Sequence, residues 1–446
     1  MGATEQLAQF IADLRYQALP TGVAEAAKVA IMDGVGNMLA GARQPLAEKI
    51  ARYVGDMGGK PVSSVVGWGF KTNPPSAAFA NGVYGHCLDF EIQGNPPTHG
   101  TSSCLPAALA LAEALHISGK TLIVAYTLGW EVQGRLRAAS IAATNPAYHP
   151  PGLVGPLGGA AAAAKVLGLD AYHTRLALGI AASRTGGLTA NTGTMVKSTH
   201  PGNAARMGVE SALLAQMDFQ SNEDVLEAPA GYAEALFNGK MDWTIVTGGL
   251  GKTFRLVDPG FDIKRFPTQI TMQRPIEAVL NLKQRHGLRA EQIESLTISL
   301  RGQGHSGPAP RTGLDGKFSV EYCGAAAMLD GQVNIETFTD ARRFAPDMEA
   351  LLPRVHTSSS PDAQGATAIA RLADGRTLRE ACVDFRGSVG NPMSREERLA
   401  KFRYCARQTL SQADTEALLS VLERLEELPD SADLMVMLMK ESAARY

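Results

Sequence analysis

GPLGGAAAAAKVLGLD, Gly155 to Asp170, is the stretch that decides the fold. It is almost entirely glycine, alanine and leucine. Side chains this small and apolar suit a helix packed closely on several neighbours, not one lying at a surface. A membrane span is excluded on length, because no apolar run in the chain approaches the ~20 residues that a span requires. CLPAALALAEALHISG (Cys104–Gly119) and NAARMGVESALLAQMDF (Asn203–Phe219) have the same texture. PTGVAEAAKVAIMDGVGNMLAG (Pro20–Gly41) sets apolar residues at helical spacing before a glycine stop. The first part of the chain therefore predicts a large all-α domain.

The texture changes near Asp262. IESLTISLRG (Ile293–Gly302) alternates β-branched residues, and ATAIARLADGRTLREACVDFRG (Ala366–Gly387) reads as two strands about an Asp374-Gly375 turn. Between them VEYCGAAAMLDG (Val320–Gly331) and ETFTDARRFA read as helical. After Pro392 an amphipathic helix returns, announced by Ser394 and Glu397 as a capping box. The expected fold is α+β: a discontinuous helical domain, residues 1–264 and 392–446, interrupted by a smaller α+β lid domain, residues 265–391. A chain of 446 residues has room for two or three such units.

Composition narrows the partners. With 45% apolar residues, 19% charged residues, a formal net charge of −2 and Lys and Arg spread along the chain, the composition argues against nucleic acid or an anionic membrane as the main partner, since both need a basic face. A small anion needs only a local cluster of cations. Five scattered cysteines without CxxC spacing read as free thiols of a reducing compartment. The opening residues carry no basic stretch followed by an apolar one, so no signal peptide is expected and the location is taken as cytoplasmic. GGLGKT (Gly248–Thr253) fails as a phosphate loop, since the required first glycine is Val246. No dinucleotide fingerprint follows a strand, so no cofactor is expected. His86, Asp89, Glu91 and His99 lack the i, i+4 spacing of helical metal ligands, and no metal is expected either.

Four segments pair cations or proton carriers with glycine and proline beside small-residue helices: HCLDFEIQGNPPTHGTSS (His86–Ser103), PAYHPPG (Pro146–Gly152), GTMVKSTHPGNAARMG (Gly193–Gly208) and FDIKRFP (Phe261–Pro267). Lys197 and His200 are read as lying just before a helix that begins near Asn203, whose N-terminus would face a bound anion. Tyr148 and His149 precede the alanine helix in the same way. Taken singly, each is an ordinary polar loop; together they suggest one anionic pocket.

These segments, in this order, resemble the MmgE/PrpD family, which includes 2-methylcitrate dehydratase, cis-aconitate decarboxylase and iminodisuccinate epimerase. NGVYGHCLDFEIQGNPPTH, YHPPGLVGPLGGAAAAAKVLGLD, KSTHPGNAARMGVESALLA, FDIKRFP, KFSVEYCGAAAMLDG and NPMSREERLAKF all have counterparts, so the resemblance spans almost the whole chain. It implies a homodimeric enzyme acting without metal or organic cofactor on a small di- or tricarboxylate. It also implies catalytic roles for Asp89, His99, Lys197, Lys264 and Tyr322. Tyr148, His149, His200 and Arg265 are the expected substrate contacts, together with Gln93, Gln269 and Gln273 where the chain departs from its family.

Those departures set the expected reaction. Glu91-Ile92 replaces an Asp-Asp pair, and Gln269 and Gln273 stand where some members carry histidines. Glutamine orients a carboxylate but does not donate a proton as an acid, which disfavours expelling a hydroxyl. The leading expectation is therefore proton abstraction α to a carboxylate with epimerisation. The alternative is a lyase of the dehydratase or decarboxylase type, and the third reading is a non-catalytic carboxylate-binding paralogue. His86 and Cys87 are assigned to packing.

Overall fold

The computed structural model describes residues 1–301, 309–361 and 364–440. The chain divides into two compact units. The larger holds Met1–Cys87, Glu91–Asp262 and the chain from Ser394 onward; the smaller holds Ile263–Met393 together with Leu88–Phe90. Lys264, placed with the helical part by sequence, thus clusters with the smaller unit, and so does Asp89.

The larger unit is helical, and its centre is built from the small-residue segments. Pro150–Leu167 packs on Val196–Gln216, Gly119–Ser140 and Gly100–Leu115, and Val196–Gln216 packs in turn on Pro74–Cys87. Glycine makes these approaches possible. A Cβ on Gly208 would fall 2.4 Å from the carbonyl carbon of Gly159, and one on Gly82 would fall 2.8 Å from the Cα of Gly202. Backbones this close leave no room for a larger residue, which is why the sequence of these helices is so poor in bulky side chains. Among the described residues no helix is long and apolar enough to cross a membrane.

One boundary differs from the sequence reading. The helix expected from Asn203 begins at Val196, so Lys197 and His200 lie inside its first two turns. Pro201-Gly202 looks like a stop, yet Pro201 is the sixth residue of the helix. The first four N–H groups of any helix have no intrahelical partner, so a proline this close to the start forfeits a single bond. A short antiparallel pairing, Gln93 with Asp262 and Gly94 with Phe261, ties down the loop ahead of Gly100–Leu115.

The smaller unit carries a four-stranded sheet in the order Val355–Ser359, Ile293–Leu300, Ala366–Leu372, Thr377–Cys382. The first pair is parallel and the other two are antiparallel. Ala366–Leu372 buries alternate residues, the period-2 pattern of a strand with one face on a core. The helices Gln273–His286 and Val320–Asp330 supply that core, with Ile276, Val279, Ala325 and Met328 buried beside Leu296, Ile298, Ala368 and Ala370. The hairpin closes at Asp374-Gly375, where Gly375 has φ +89°.

Candidate active site

The larger unit gathers titratable side chains at the ends of four helices. His86 is the penultimate residue of Pro74–Cys87, and His99 and His149 are the N-caps of Gly100–Leu115 and Pro150–Leu167. Lys197 and His200 sit near the start of Val196–Gln216. The imidazoles cluster: ring centres are 4.4 Å apart for His86 and His99, 5.7 Å for His86 and His149, and 5.2 Å for His149 and His200. Three helix N-termini therefore bring the positive ends of their dipoles to one place, beside an ammonium.

A line of hydrogen bonds runs through the cluster. Lys197 Nζ is 2.9 Å from His86 Nε2, and His86 Nδ1 is 2.6 Å from Glu91 Oε1. Burial, and after it the Lys197 ammonium, push His86 down to about 3, so the ring is neutral near pH 7. A neutral imidazole has one N–H and one lone pair. An ammonium can only donate and a carboxylate can only accept, which fixes the assignment: Lys197 donates to Nε2, and Nδ1–H donates to Glu91. Burial works to raise the Glu91 carboxyl, but His86 and His99 beside it outweigh that and hold it well below the usual range. Ser102 Oγ donates to the same oxygen at 3.0 Å.

The rest of the cluster is less tightly held. His99 Nδ1 lies 2.9 Å from Glu91 Oε1 but not in hydrogen-bonding geometry. Glu91 Oε2 and Gln93 Oε1 are buried with no hydrogen-bond partner among the described residues. His149 and His200 meet through their Nδ1 atoms at 3.1 Å, and both are lowered by burial first and by Lys197 next. Tyr148 is half-buried and pairs its backbone with Leu188. One ring nitrogen from each of His86, His99 and His149 lies within 4.8 Å of the others, a set of donor types that zinc accepts.

The smaller unit holds a second pair. Lys264 is fully buried, and its Nζ donates to both the side chain and the carbonyl oxygen of Asp89, the latter at 3.0 Å. Asp89 has φ +52°, in the left-handed region that aspartate tolerates better than most residues. Arg265 is exposed and lies 3.9 Å from Glu277. Gln269 is half-buried.

Two further candidates from the sequence, Gln273 as a substrate contact and Tyr322 as a catalytic residue, make hydrogen bonds within the smaller unit. Gln273 accepts from the Arg265 and Phe266 amides and donates to the Phe266 carbonyl and to Thr268, so both ends of its amide shape the 265–268 turn. Tyr322 is fully buried, its hydroxyl donates to the Thr337 carbonyl, and burial pushes its pKa up. GGLGKT forms turns whose carbonyls, with those just before it, receive the Arg135 guanidinium, which is itself paired with Glu131.

The structure brings together His99, His149, Lys197 and His200, and adds two residues that sequence reasoning did not place there. His86, assigned to packing, stands between Lys197 and Glu91. Glu91, singled out as a departure from the family, is the carboxylate that orients it. The available signal was a histidine and a glutamate five residues apart across a helix end, the separation at which a short loop can turn one side chain back onto the other.

A discontinuous helical unit with this cluster, joined to a four-stranded α+β unit, defines the class: the chain belongs to the MmgE/PrpD enzyme family. It matches the MmgE/PrpD N-terminal domain over residues 5–244 and the MmgE/PrpD C-terminal domain over residues 266–427. Among individual proteins it is similar to the cis-aconitate decarboxylase of Mus musculus, with 32% identity covering 97% of this chain and 92% of that protein. The cis-aconitate decarboxylase of Homo sapiens is 31% identical, covering 98% and 94%. That of Aspergillus terreus is 28% identical, covering 98% and 96%.

Proposed function

We propose that the chain is a lyase that removes CO2 from a small unsaturated tricarboxylate, with cis-aconitate as the substrate to test first. The relatives named for that activity support the reading along nearly the full length of the chain. The observation that carries it is the line Lys197–His86–Glu91 within a cluster of helix N-termini.

The chemistry asks for what that arrangement offers. In cis-aconitate the CH2-bound carboxylate is one carbon removed from a double bond. When its C–C bond breaks, CO2 leaves and the electron pair moves through the double bond toward the far carboxylate. A proton must then reach the carbon next to that carboxylate, leaving a terminal methylene. Negative charge grows on carboxylate oxygens, and an ammonium with helix N-termini stabilises it. Lys197 also supplies the proton, with Nζ held in place by His86. His149 and His200, neutral at pH 7, contact the substrate through N–H groups.

Epimerisation, placed first from Gln269 and Gln273, has less support. Gln273, one of the two residues that set that order, is engaged with its own loop. No relative named above is an epimerase. The test is NMR in deuterated water with 13C-labelled cis-aconitate, citrate, 2-methylcitrate and iminodisuccinate. The expected result is labelled CO2 and a methylene-bearing dicarboxylate carrying one deuterium. Exchange of an α-hydrogen without release of CO2 would overturn the proposal in favour of epimerisation.

A further inference from the structure

Asp33 and Lys401 belong to the larger unit but to segments that the chain separates by the whole of the smaller one. Asp33 lies on Thr21–Gly41 and Lys401 on Arg395–Ala406. Lys401 Nζ is 2.6 Å from Asp33 Oδ1, with the two side chains 8% and 7% exposed. The other carboxylate oxygen, Oδ2, accepts the backbone N–H of Ile92 at 3.0 Å and the Asn37 amide at 3.0 Å. Ile92 directly follows Glu91, in a stretch with no helix or strand of its own.

We infer that Asp33 is a positioning residue for the active site, pinning the Ile92 amide so that the Glu91 carboxylate faces His86, with Lys401 as its buried counter-ion. Burying two charges is costly, and an apolar pair of the same volume often serves stability equally well. The pair makes physical sense where the backbone needs a fixed acceptor. An ionised carboxylate is the strongest acceptor for a lone amide, and it stays ionised in the interior only beside a cation. The Ile92 bond is one residue from a carboxylate that must meet His86 Nδ1 at 2.6 Å. Displacements of about 1 Å in such a support are enough to slow a reaction by roughly 100-fold. The helix that follows the smaller unit thus contributes to a cluster of histidines, Lys197 and Glu91 that all precede residue 201.

This inference rests on the proposed reaction only for its kinetic readout. The test compares two double variants. Asp33→Leu/Lys401→Met removes both charges and the acceptor; Asp33→Asn/Lys401→Met removes both charges but keeps an oxygen for the Ile92 amide. The first should fold with a urea midpoint close to wild type, lose roughly 10- to 100-fold in kcat at nearly constant KM, and lose the downfield proton resonance of His86 Nδ1. The second should recover most of kcat and that resonance. Should the Leu/Met pair fail to fold, Asp33→Ala/Lys401→Gln carries the same expectation. Wild-type kcat and an intact His86 resonance in the acceptor-free variant would overturn the inference, as would an Asn/Met variant no faster than it. If the wild type fails to decarboxylate cis-aconitate, the proposed function falls, while the His86 resonance and hydrogen exchange at the Ile92 amide still decide the positioning role.

Discussion

Acidification from pH 7 to pH 5 should cost the larger unit stability, and His86 sets the scale. In an unfolded chain an imidazole takes up its proton near pH 6.5. In the folded chain burial, and then the Lys197 ammonium, push His86 down to about 3. Between those two values only the unfolded state holds the proton, so stability falls with falling pH by about 1.36 kcal/mol per unit. The one and a half units from 6.5 to 5 amount to about 2 kcal/mol from His86 alone. His149 and His200 are shifted in the same direction and add to the loss. Glu91 works in another window: its carboxyl is depressed, so its contribution is complete above the ordinary carboxylate pKa and is lost only as pH falls below that. His173 is shifted upward by Asp218 and Asp170 and opposes the trend, but it is solvent-screened and common to both proteins compared. The decisive comparison is wild type against His86→Gln, by urea unfolding followed through tryptophan fluorescence at pH 7 and at pH 5. Wild type should lose about 2 kcal/mol more than the variant over that interval. An equal loss in the two proteins would refute the neutral state of His86, and with it the direction of the Lys197–His86–Glu91 bonds.

Two further substitutions probe the site and the scaffold. Glu91→Gln replaces a charge-assisted acceptor worth about 1.5–3 kcal/mol, so kcat on the accepted substrate should fall roughly 10- to 150-fold with KM little changed; wild-type turnover would detach Glu91 from the chemistry. Gly208→Ala forces a methyl against the Gly159 backbone and should lower stability in urea by about 1–3 kcal/mol, and an unchanged midpoint would show that the two helices separate freely.

Much of the fold was legible because its signals are local. The capping box at Ser394 and Glu397 forms as the spacing requires: the Glu397 amide donates to Ser394 Oγ, and Glu397 Oε2 accepts from the Ser394 amide. The Asp374-Gly375 hairpin closes where its turn residues stand, and the alanine helix after His149 begins at Pro150. The candidates Lys197, His149 and His200 were visible as polar residues at glycine- and proline-marked helix entries. Where local rules competed, the reading slipped. Pro201-Gly202 carries a stop signal, yet the segment's packing on Pro74–Cys87 extends the helix back to Val196.

The sequence by itself determined the central small-residue helices, the cap at Ser394, the Asp374-Gly375 hairpin, and that proton carriers stand at helix starts, because caps, turns and periodicity involve residues within a few positions of one another. Only the tertiary structure decided which of them meet. Lys197 reaches His86 across 111 residues, and Lys401 reaches back to Asp33 from beyond the smaller unit. It also decided their protonation, since the charge state of His86 follows from burial and from a cation on a distant helix. Burial and charge pairing are set by packing between remote segments, and no local pattern encodes them.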